Sequence, residues 1–196
     1  MPRNLILASS SPYRRALLEQ LQLPFSCASP HINEEALAGE TPPGTAQRLA
    51  AAKAQALADR FPDALIIGSD QVAECEGHAL GKPGGFDRAL TQLQACSGHR
   101  VNFYTGVSVL DTASGEQRTE LEIFSVHFRQ LGEAEIRAYV EREKPYDCAG
   151  SFKVEGLGIA LFEKMEGSDV NALIGLPLIR TLELLRAFGV DPLRPS

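Results

Sequence analysis

The sequence predicts a single α/β domain over residues 1–196. Apolar runs typical of buried strands alternate along the chain with segments in which apolar residues recur at helical spacing. No repeat, low-complexity tract or polar linker interrupts this alternation. A chain of 196 residues is long enough for one well-buried core, so two independent domains are not expected.

The composition is ordinary for a soluble globular protein and excludes several classes. The net charge is −6 and the basic residues are scattered, so neither nucleic acid nor an anionic membrane is an expected partner. No apolar stretch is long enough to span a membrane and the N-terminus lacks a signal-peptide pattern, so a cytoplasmic protein is expected. The four cysteines form no C-x-x-C motif, which favours reduced cysteines that pack over a zinc site.

The N-terminal stretch predicts a strand, a serine-rich turn and a helix. The apolar residues 5–8 are typical of a buried strand, Pro12 fits the first position of a helix, and Ser11 fits its cap. Arg14 and Arg15 then fall in the first helical turn, where each cation is unfavourable by about 0.3–1 kcal/mol. A bound anion would reverse that penalty, so an anion site and two solvent-exposed arginines remain equally open.

The next part of the chain predicts a short strand, a polar loop and a second helix. Residues 25–28 are typical of a strand, and the polar residues 30–44 indicate a loop in which Glu34 is either a ligand for a hard cation or a solvated acid. From Thr45 onward, apolar residues recur at helical spacing and Lys53 falls within their stripe. Because an isolated ammonium is costly to bury, Lys53 is expected to meet an anion or to reach water from the edge of the stripe.

A compact apolar run at residues 64–68 predicts a buried strand with Asp70 at its carboxyl end. Ligands of α/β sheets gather at such ends, so Asp70 is a candidate for orienting a water molecule or a metal ion, although aspartate also caps turns. A glycine-rich loop with Lys82 follows, before a helix from residue 86. Pro83 stands where a P-loop requires Ser or Thr, which excludes that motif.

The second half of the chain continues the alternation of strands and helices. Glycines punctuate residues 147–158, and on an extended segment Lys153 and Glu155 would point the same way, which favours an ion pair between them. The other predicted elements are a hairpin of residues 101–110 and 121–128, a helix at 133–140, a strand at 159–162, a loop at 170–171 and a helix from Pro177.

Short motifs recur along almost the whole chain, and each is weak alone. The motifs are Leu7-Ala8-Ser9-Ser10-Ser11-Pro12-Tyr13-Arg14-Arg15, Glu34, Ala52-Lys53-Ala54, Gly68-Ser69-Asp70-Gln71, Gly81-Lys82-Pro83, Ala149-Gly150-Ser151-Phe152, Gly156-Leu157-Gly158 and Gly175-Leu176-Pro177. Their order and spacing are specific in combination and resemble the Maf family of nucleotide pyrophosphatases. Within the family, the chain is similar to the branch that hydrolyses 7-methyl-GTP in the cytoplasm.

The resemblance implies a fold like that of inosine triphosphate pyrophosphatases, an elongated mixed sheet flanked by helices with a cleft between two lobes. It also implies that a nucleoside triphosphate is cleaved between its α and β phosphates, with a divalent cation, Mg²⁺ or Mn²⁺. Asp70 would be the proton acceptor, and Lys53 and Lys82 would also be catalytic. The implied ligands are Ser9, Arg14, Lys53 and Lys82 for the phosphates, and Glu34 and Asp70 for the metal.

Three further positions concern the base of the nucleotide. Where the sibling branch that acts on dTTP and UTP carries Arg, Thr and Gln, this chain has Tyr13, Gln71 and Glu155. A 7-methylated guanine has a positive ring and a donor edge, so we expect Tyr13 to flank the base, Glu155 to accept from its edge and Gln71 to adjust the fit. The alternatives are a Tyr13 packed in the first helical turn and a Glu155 paired with Lys153.

The sequence leaves three functions open. The first is a pyrophosphatase that removes 7-methyl-GTP before it enters nucleic acids. The second is the sibling dTTP and UTP pyrophosphatase, and the third is a nucleotide-sensing regulator of septum formation. The presence of Asp70, Lys53 and Lys82 favours an enzyme, because sensing requires no base. The expected partner is the small nucleotide substrate, and a homodimer is left open.

Overall fold

The computed structural model of the protein describes residues 3–194. Within that range, seven strands form a mixed sheet flanked by six α-helices, which confirms the predicted α/β class. The strands are β1 (Asn4–Ala8), β2 (Ser26–Ala28), β3 (Ala64–Cys75), β4 (His78–Leu80), β5 (Arg100–Asp111), β6 (Gln117–Phe128) and β7 (Phe162–Glu166). The helices are α1 (Pro12–Glu19), α2 (Pro42–Gln55), α3 (Phe86–Cys96), α4 (Glu133–Glu143), α5 (Val170–Ile174) and α6 (Leu178–Ala187).

The strand order is β2-β1-β3-β5-β6-β7, and β4 pairs with β3. The chain divides into two compact units. Unit 1 contains Thr105–Glu122 and the described residues up to Asp70 and from Asp169 onward, and unit 2 contains Gln71–Tyr104 and Ile123–Ser168. The single domain and the cleft that the sequence implies stay predictions. No helix among residues 3–194 combines the length and the apolar character needed to cross a membrane.

The core of unit 1 lies on both faces of a parallel arrangement of β2, β1 and β3. In that arrangement Ile6 is opposite Ser26 on one side, and Ala8 is opposite Gly68 on the other. Because side chains alternate along a strand, Leu5 and Leu7 pack with α1 and α6, whereas Ile6 and Ala8 belong to a separate cluster that includes Ala54 of α2. Burial on both faces explains why β1 is a continuous apolar run.

Three elements of unit 1 differ from the sequence prediction. The helix α2 begins at Pro42 and not at Thr45, because the Thr41 side chain accepts a hydrogen bond from the backbone N–H of Gly44. Residues 170–171 begin α5 and are not a loop, because the Asp169 carboxylate accepts from the Asn171 N–H at 2.9 Å. The apolar repeat did not reveal these two helix starts, because a helical repeat can be recognised only over more than one turn.

The third difference concerns Asp70, which lies inside β3 and not at its carboxyl end. The parallel pairing with β1 ends at Gly68, while the last residues of β3 pair antiparallel with β4. Asp70 therefore lies just beyond the end of the neighbouring parallel strand, which is the position where α/β sheets gather ligands. The strand continues because a hairpin turn at Glu76 and Gly77, both with positive φ, returns the chain to it.

In unit 2, four phenylalanine rings form an edge-to-face cluster with centroid distances of 4.8–5.8 Å. The rings are those of Phe103, Phe128, Phe152 and Phe162. The segment before Phe162 is not the predicted strand, because residues 157–161 form a 3₁₀ turn and β7 begins only at Phe162. The chain also turns at residues 154–156, so Lys153 and Glu155 do not lie on one extended segment.

Candidate active site

The structure brings three of the predicted site residues of unit 1 into direct contact. The ammonium of Lys53 on α2 lies 2.7 Å from Asp70 Oδ1 on β3 and 3.0 Å from Glu34 Oε1 in the loop before α2. The side chains of Lys53 and Asp70 are only 5% and 9% exposed, whereas that of Glu34 is 58% exposed. Lys53 therefore meets anions and does not extend into solvent, which was one of the two outcomes that its pattern left open.

Two glycines let α2 approach the sheet closely enough for this contact. A Cβ atom on Gly68 of β3 would lie 2.1 Å from the carbonyl oxygen of Ala50, and one on Gly106 of β5 would lie 2.4 Å from that of Ala46. Ala50 and Ala46 both belong to α2, so a side chain on either glycine would push the helix away from the sheet. Lys53 follows Ala50 by about one helical turn, and Asp70 follows Gly68 by two strand positions, so both side chains point into the same narrow space.

Burial and nearby cations act in opposite directions on the Asp70 carboxyl. Burial raises the pKa of Asp70 above its ordinary value, and the charges of Lys53 and Arg14 lower it only in part. Burial likewise lowers the pKa of the Arg14 guanidinium, while the charges of Asp70 and Glu34 oppose that change. These mutual effects show that the two cations and the two carboxylates form one electrostatic cluster, in which Asp70 is a stronger base than a solvated aspartate.

Arg14 bonds to the cap of α1 through its backbone and to the end of α5 through its side chain. Its N–H donates to the Ser11 hydroxyl at 3.4 Å, and its Nε–H donates to the carbonyl oxygen of Gly175 at 2.8 Å. Neither of its Nη atoms donates to any other group in the described part of the chain. Ser9 is buried directly after β1, where its hydroxyl accepts from the Ser11 N–H at 3.1 Å and so orders the turn into the helix.

The carboxylates of Glu34 and Asp70 are compatible with the predicted metal in one coordination mode. Among residues 3–194, no group of three or more acid, histidine or cysteine side chains could enclose an ion. Mg²⁺ does not need such a cage, because it usually takes one or two carboxylates and completes its shell with water and substrate phosphates. Glu34 and Asp70, both in contact with Lys53, supply a donor set of that kind.

The remaining predicted residues lie in other surroundings. Tyr13 is half-buried in the first turn of α1. In unit 2, Gln71 directly follows Asp70 in β3 and is half-buried, Lys82 is exposed in the loop between β4 and α3, and Glu155 is exposed in a turn. Their roles toward a nucleotide stay predictions.

The ion pair between Lys153 and Glu155 was a wrong prediction. Within the described residues, the Lys153 ammonium lies 3.3 Å from the carbonyl oxygen of Glu143 and 4.0 Å from Asp147 Oδ1, and no pair with Glu155 is found. The reason is the local fold, because the chain turns at residues 154–156 and so does not place the two side chains on one strand face.

No role for Ser69 or Gly175 was predicted from the sequence, although both lie in motifs that resemble those of the Maf family. The Ser69 hydroxyl lies 2.8 Å from the carbonyl oxygen of Gly106 and 3.1 Å from that of Gly175, the same oxygen to which Arg14 donates. A signal was present in the sequence, since a glycine shortly before a proline is typical of a helix C-terminus. That signal predicts the end of a helix, but it does not predict that the carbonyl of Gly175 accepts a hydrogen bond from Arg14.

An α/β sheet with a buried acid that is paired with a lysine and lies in the field of an arginine defines a class of protein suited to anionic ligands. A family model described as Maf-like protein matches residues 4–188, and the chain belongs to that family. It is 51% identical over 191 residues to the 7-methyl-GTP pyrophosphatase of Colwellia psychrerythraea (strain 34H / ATCC BAA-681). That alignment covers 97% of this chain and 96% of the relative. The chain is 54% identical over 188 residues to the 7-methyl-GTP pyrophosphatase of Pseudomonas syringae pv. tomato (strain ATCC BAA-871 / DC3000), which covers 96% and 98%.

Proposed function

We propose that the protein is a nucleoside triphosphate pyrophosphatase that hydrolyses 7-methyl-GTP to 7-methyl-GMP and diphosphate. The observation that carries the hydrolytic role is the buried Asp70 carboxylate, which is held 2.7 Å from the Lys53 ammonium and has a raised pKa. The choice of substrate rests on the two relatives of that name, which match nearly the whole chain. The cellular role is the clearance of methylated guanine nucleotides in the cytoplasm before they enter nucleic acids.

In the proposed reaction, Asp70 is the general base. The oxygen of a water molecule forms a bond to one phosphorus of the α–β anhydride, and the bond from that phosphorus to the bridging oxygen breaks. Asp70 accepts the proton that the water loses, which its raised pKa favours. Lys53 holds the carboxylate in place through Oδ1, so that its second oxygen is left to face the water.

A bound triphosphate needs positive charge beyond that of the Arg14, Lys53, Glu34 and Asp70 cluster. The positive charges of Arg14 and Lys53 balance the negative charges of Glu34 and Asp70. The cluster therefore has no surplus positive charge to offset a nucleoside triphosphate, which carries about four negative charges. Arg14 offers its Nη atoms to the phosphates, and Ser9 and Lys82 are the further phosphate ligands. Glu34 and Asp70 would hold a divalent cation, which would supply neutralisation of phosphate charge and a lowered pKa for the attacking water.

Three residues select the base in this proposal. Tyr13 flanks the positive ring of 7-methylguanine, because aromatic faces attract cations. Glu155 accepts hydrogen bonds from the N1–H and N2–H₂ edge, and Gln71 adjusts the fit beside Asp70. The exposure of Glu155 leaves its carboxylate available to a ligand.

The test is the release of diphosphate from a panel of nucleotides in the presence of Mg²⁺ or Mn²⁺. We expect kcat/KM for 7-methyl-GTP to exceed the values for GTP, dTTP and UTP. GTP is the matched control, since it differs from 7-methyl-GTP only in the methyl group and the ring charge that follows from it. Faster hydrolysis of dTTP or UTP would assign the sibling activity, and nucleotide binding without hydrolysis would favour the sensing role.

The specificity assignment is tested with Glu155→Gln, which keeps the size of the side chain and removes its charge. We expect this variant to lose more kcat/KM for 7-methyl-GTP than for GTP. Glu163→Gln, an exposed glutamate of β7, is the matched control and should leave both values close to wild type. Equal losses for the two nucleotides in Glu155→Gln would remove Glu155 from recognition of the methylated base.

A further inference from the structure

A chain of hydrogen bonds links the strand that carries Asp70 to the guanidinium of Arg14. Ser69 directly precedes Asp70 in β3, and its side chain is fully buried on the opposite face of the strand. The single hydroxyl hydrogen of Ser69 lies within reach of two carbonyl oxygens, that of Gly106 at 2.8 Å and that of Gly175 at 3.1 Å. The second of these oxygens also accepts from Arg14 Nε at 2.8 Å.

The position of Gly175 requires a glycine. It ends α5 with φ +131, a backbone conformation that other residues rarely adopt. A Cβ atom built there would lie 3.5 Å from Arg14 Nε, so the guanidinium already packs against the glycine backbone. The N–H of Gly175 donates to the carbonyl oxygen of Asn171 at 3.0 Å, which leaves its own carbonyl to face Ser69 and Arg14.

This arrangement determines which edge of the Arg14 guanidinium is available. A guanidinium is planar and rigid, so a hydrogen bond at Nε sets the direction of its Nη atoms. Both Nη atoms remain without a hydrogen bond to the described residues. A Gly175 carbonyl that Ser69 holds in place therefore fixes the orientation of the Nη edge of Arg14. Without that hydrogen bond, the peptide at the end of the five-residue helix α5 would restrict the guanidinium less.

We propose that Ser69 and Gly175 are positioning residues, which aim the Nη edge of Arg14 at the phosphates of the substrate through the Gly175 carbonyl. The role of Arg14 as a phosphate ligand rests on the proposed function. The geometry that orients Arg14 does not, since it involves only unit 1 and no ligand. The two parts can therefore be tested separately.

The geometry is tested by NMR on the free protein, through the solvent exchange of the Arg14 Nε–H proton. Its resonance is assigned as the one missing from Arg14→Lys. In Ser69→Ala we expect this proton to exchange faster, because the acceptor carbonyl is no longer held. The matched control is Thr105→Val, which removes another buried hydroxyl that donates to α5, at the carbonyl of Ala172 and 2.8 Å away. Thr105→Val should leave the exchange of the Arg14 proton unchanged.

The functional part is tested by a double-mutant cycle of Ser69→Ala and Arg14→Lys with 7-methyl-GTP. The net value of one hydrogen bond predicts that Ser69→Ala raises KM by up to about tenfold in the wild type. In the Arg14→Lys background, Ser69→Ala should raise KM by less than about twofold, because the group on which it acts is absent. Thr105→Val should have the same small effect in both backgrounds.

The outcomes separate the two proposals. Unchanged exchange of the Arg14 proton in Ser69→Ala, or additive losses of the two substitutions, would overturn the positioning role even in an active enzyme. An inactive wild type would overturn the proposed function, and the NMR result would still decide whether Ser69 orients Arg14. If Ser69→Ala does not fold, Ser69→Cys takes its place, since it leaves no cavity and replaces the hydroxyl with a weaker thiol donor.

Discussion

The Lys53 ammonium donates to Asp70 Oδ1 at 2.7 Å, and both side chains are buried. Helix α2 supplies the lysine and strand β3 supplies the aspartate, and the two meet because Gly68 and Gly106 let the helix backbone lie against the sheet. Burial raises the pKa of the Asp70 carboxyl, and the Lys53 ammonium opposes that change, so Lys53 favours the ionised form of Asp70 that can accept a proton.

Replacing Asp70 with Asn should remove the general base. We expect kcat to fall by at least about 100-fold while KM changes little, because an amide cannot accept the proton of water. Initial rates of diphosphate release measure both constants. Glu122→Gln is the matched control, because Glu122 is also a buried acid paired with a cation, the Arg180 guanidinium at 3.1 Å. It should lower stability and leave kcat near wild type, and full activity in Asp70→Asn would remove Asp70 from its role.

Replacing Lys53 with Met should change how activity depends on pH. With Asp70 as the proposed base, activity requires its ionised form and should fall as the pH drops through the pKa of that group. Lys53 lowers this pKa, which burial raises, and its removal therefore raises the pKa further. We expect the acid limb of kcat to move to higher pH, as measured by a pH–rate profile. Lys164→Met, which removes an exposed lysine paired with Glu166, should leave the limb in place. A limb that moves to lower pH in Lys53→Met would contradict the electrostatic cluster.

Replacing Glu34 with Gln should lower the apparent affinity of the enzyme for the divalent cation. We expect the Mg²⁺ concentration for half-maximal activity to rise on the order of tenfold, because one of the two carboxylates proposed to hold the cation is lost. Chelation with EDTA should abolish diphosphate release, and added Mg²⁺ should restore it. Glu35→Gln is the control, since that neighbouring carboxylate binds the Asn33 amide at 3.4 Å and has no contact with Lys53 in the described structure. The same shift in both variants would exclude a specific role for Glu34.

Replacing Gly68 with Ala should separate α2 from the sheet. The added methyl group would lie 2.1 Å from the carbonyl oxygen of Ala50, so the helix must shift. We expect a loss of about 1–3 kcal/mol in the free energy of unfolding, with a loss of kcat because Lys53 moves with α2. Urea denaturation and diphosphate release provide the two measurements. Gly85→Ala, where no atom lies within 4 Å of the added methyl, should change both quantities far less.

Local patterns in the sequence account for the elements that were predicted correctly. Pro12 after Ser11 marked the start of α1, and the apolar run of β1 marked a strand buried on both faces. The helical repeat placed Lys53 in the buried stripe of α2. Such signals span only a few residues, so they can be read without knowing which parts of the chain meet.

The sequence by itself determined the α/β class, the serine-rich turn into α1 and the hypothesis that Arg14, Lys53 and Asp70 belong to a functional site. Only the tertiary structure decided that Lys53 meets two carboxylates and not solvent, and that the carbonyl of Gly175 orients Arg14. The physical reason is the separation of the partners along the chain. Lys53 and Asp70 are 17 residues apart and Arg14 and Gly175 are 161 apart, so only the packing of helices on the sheet brings them together.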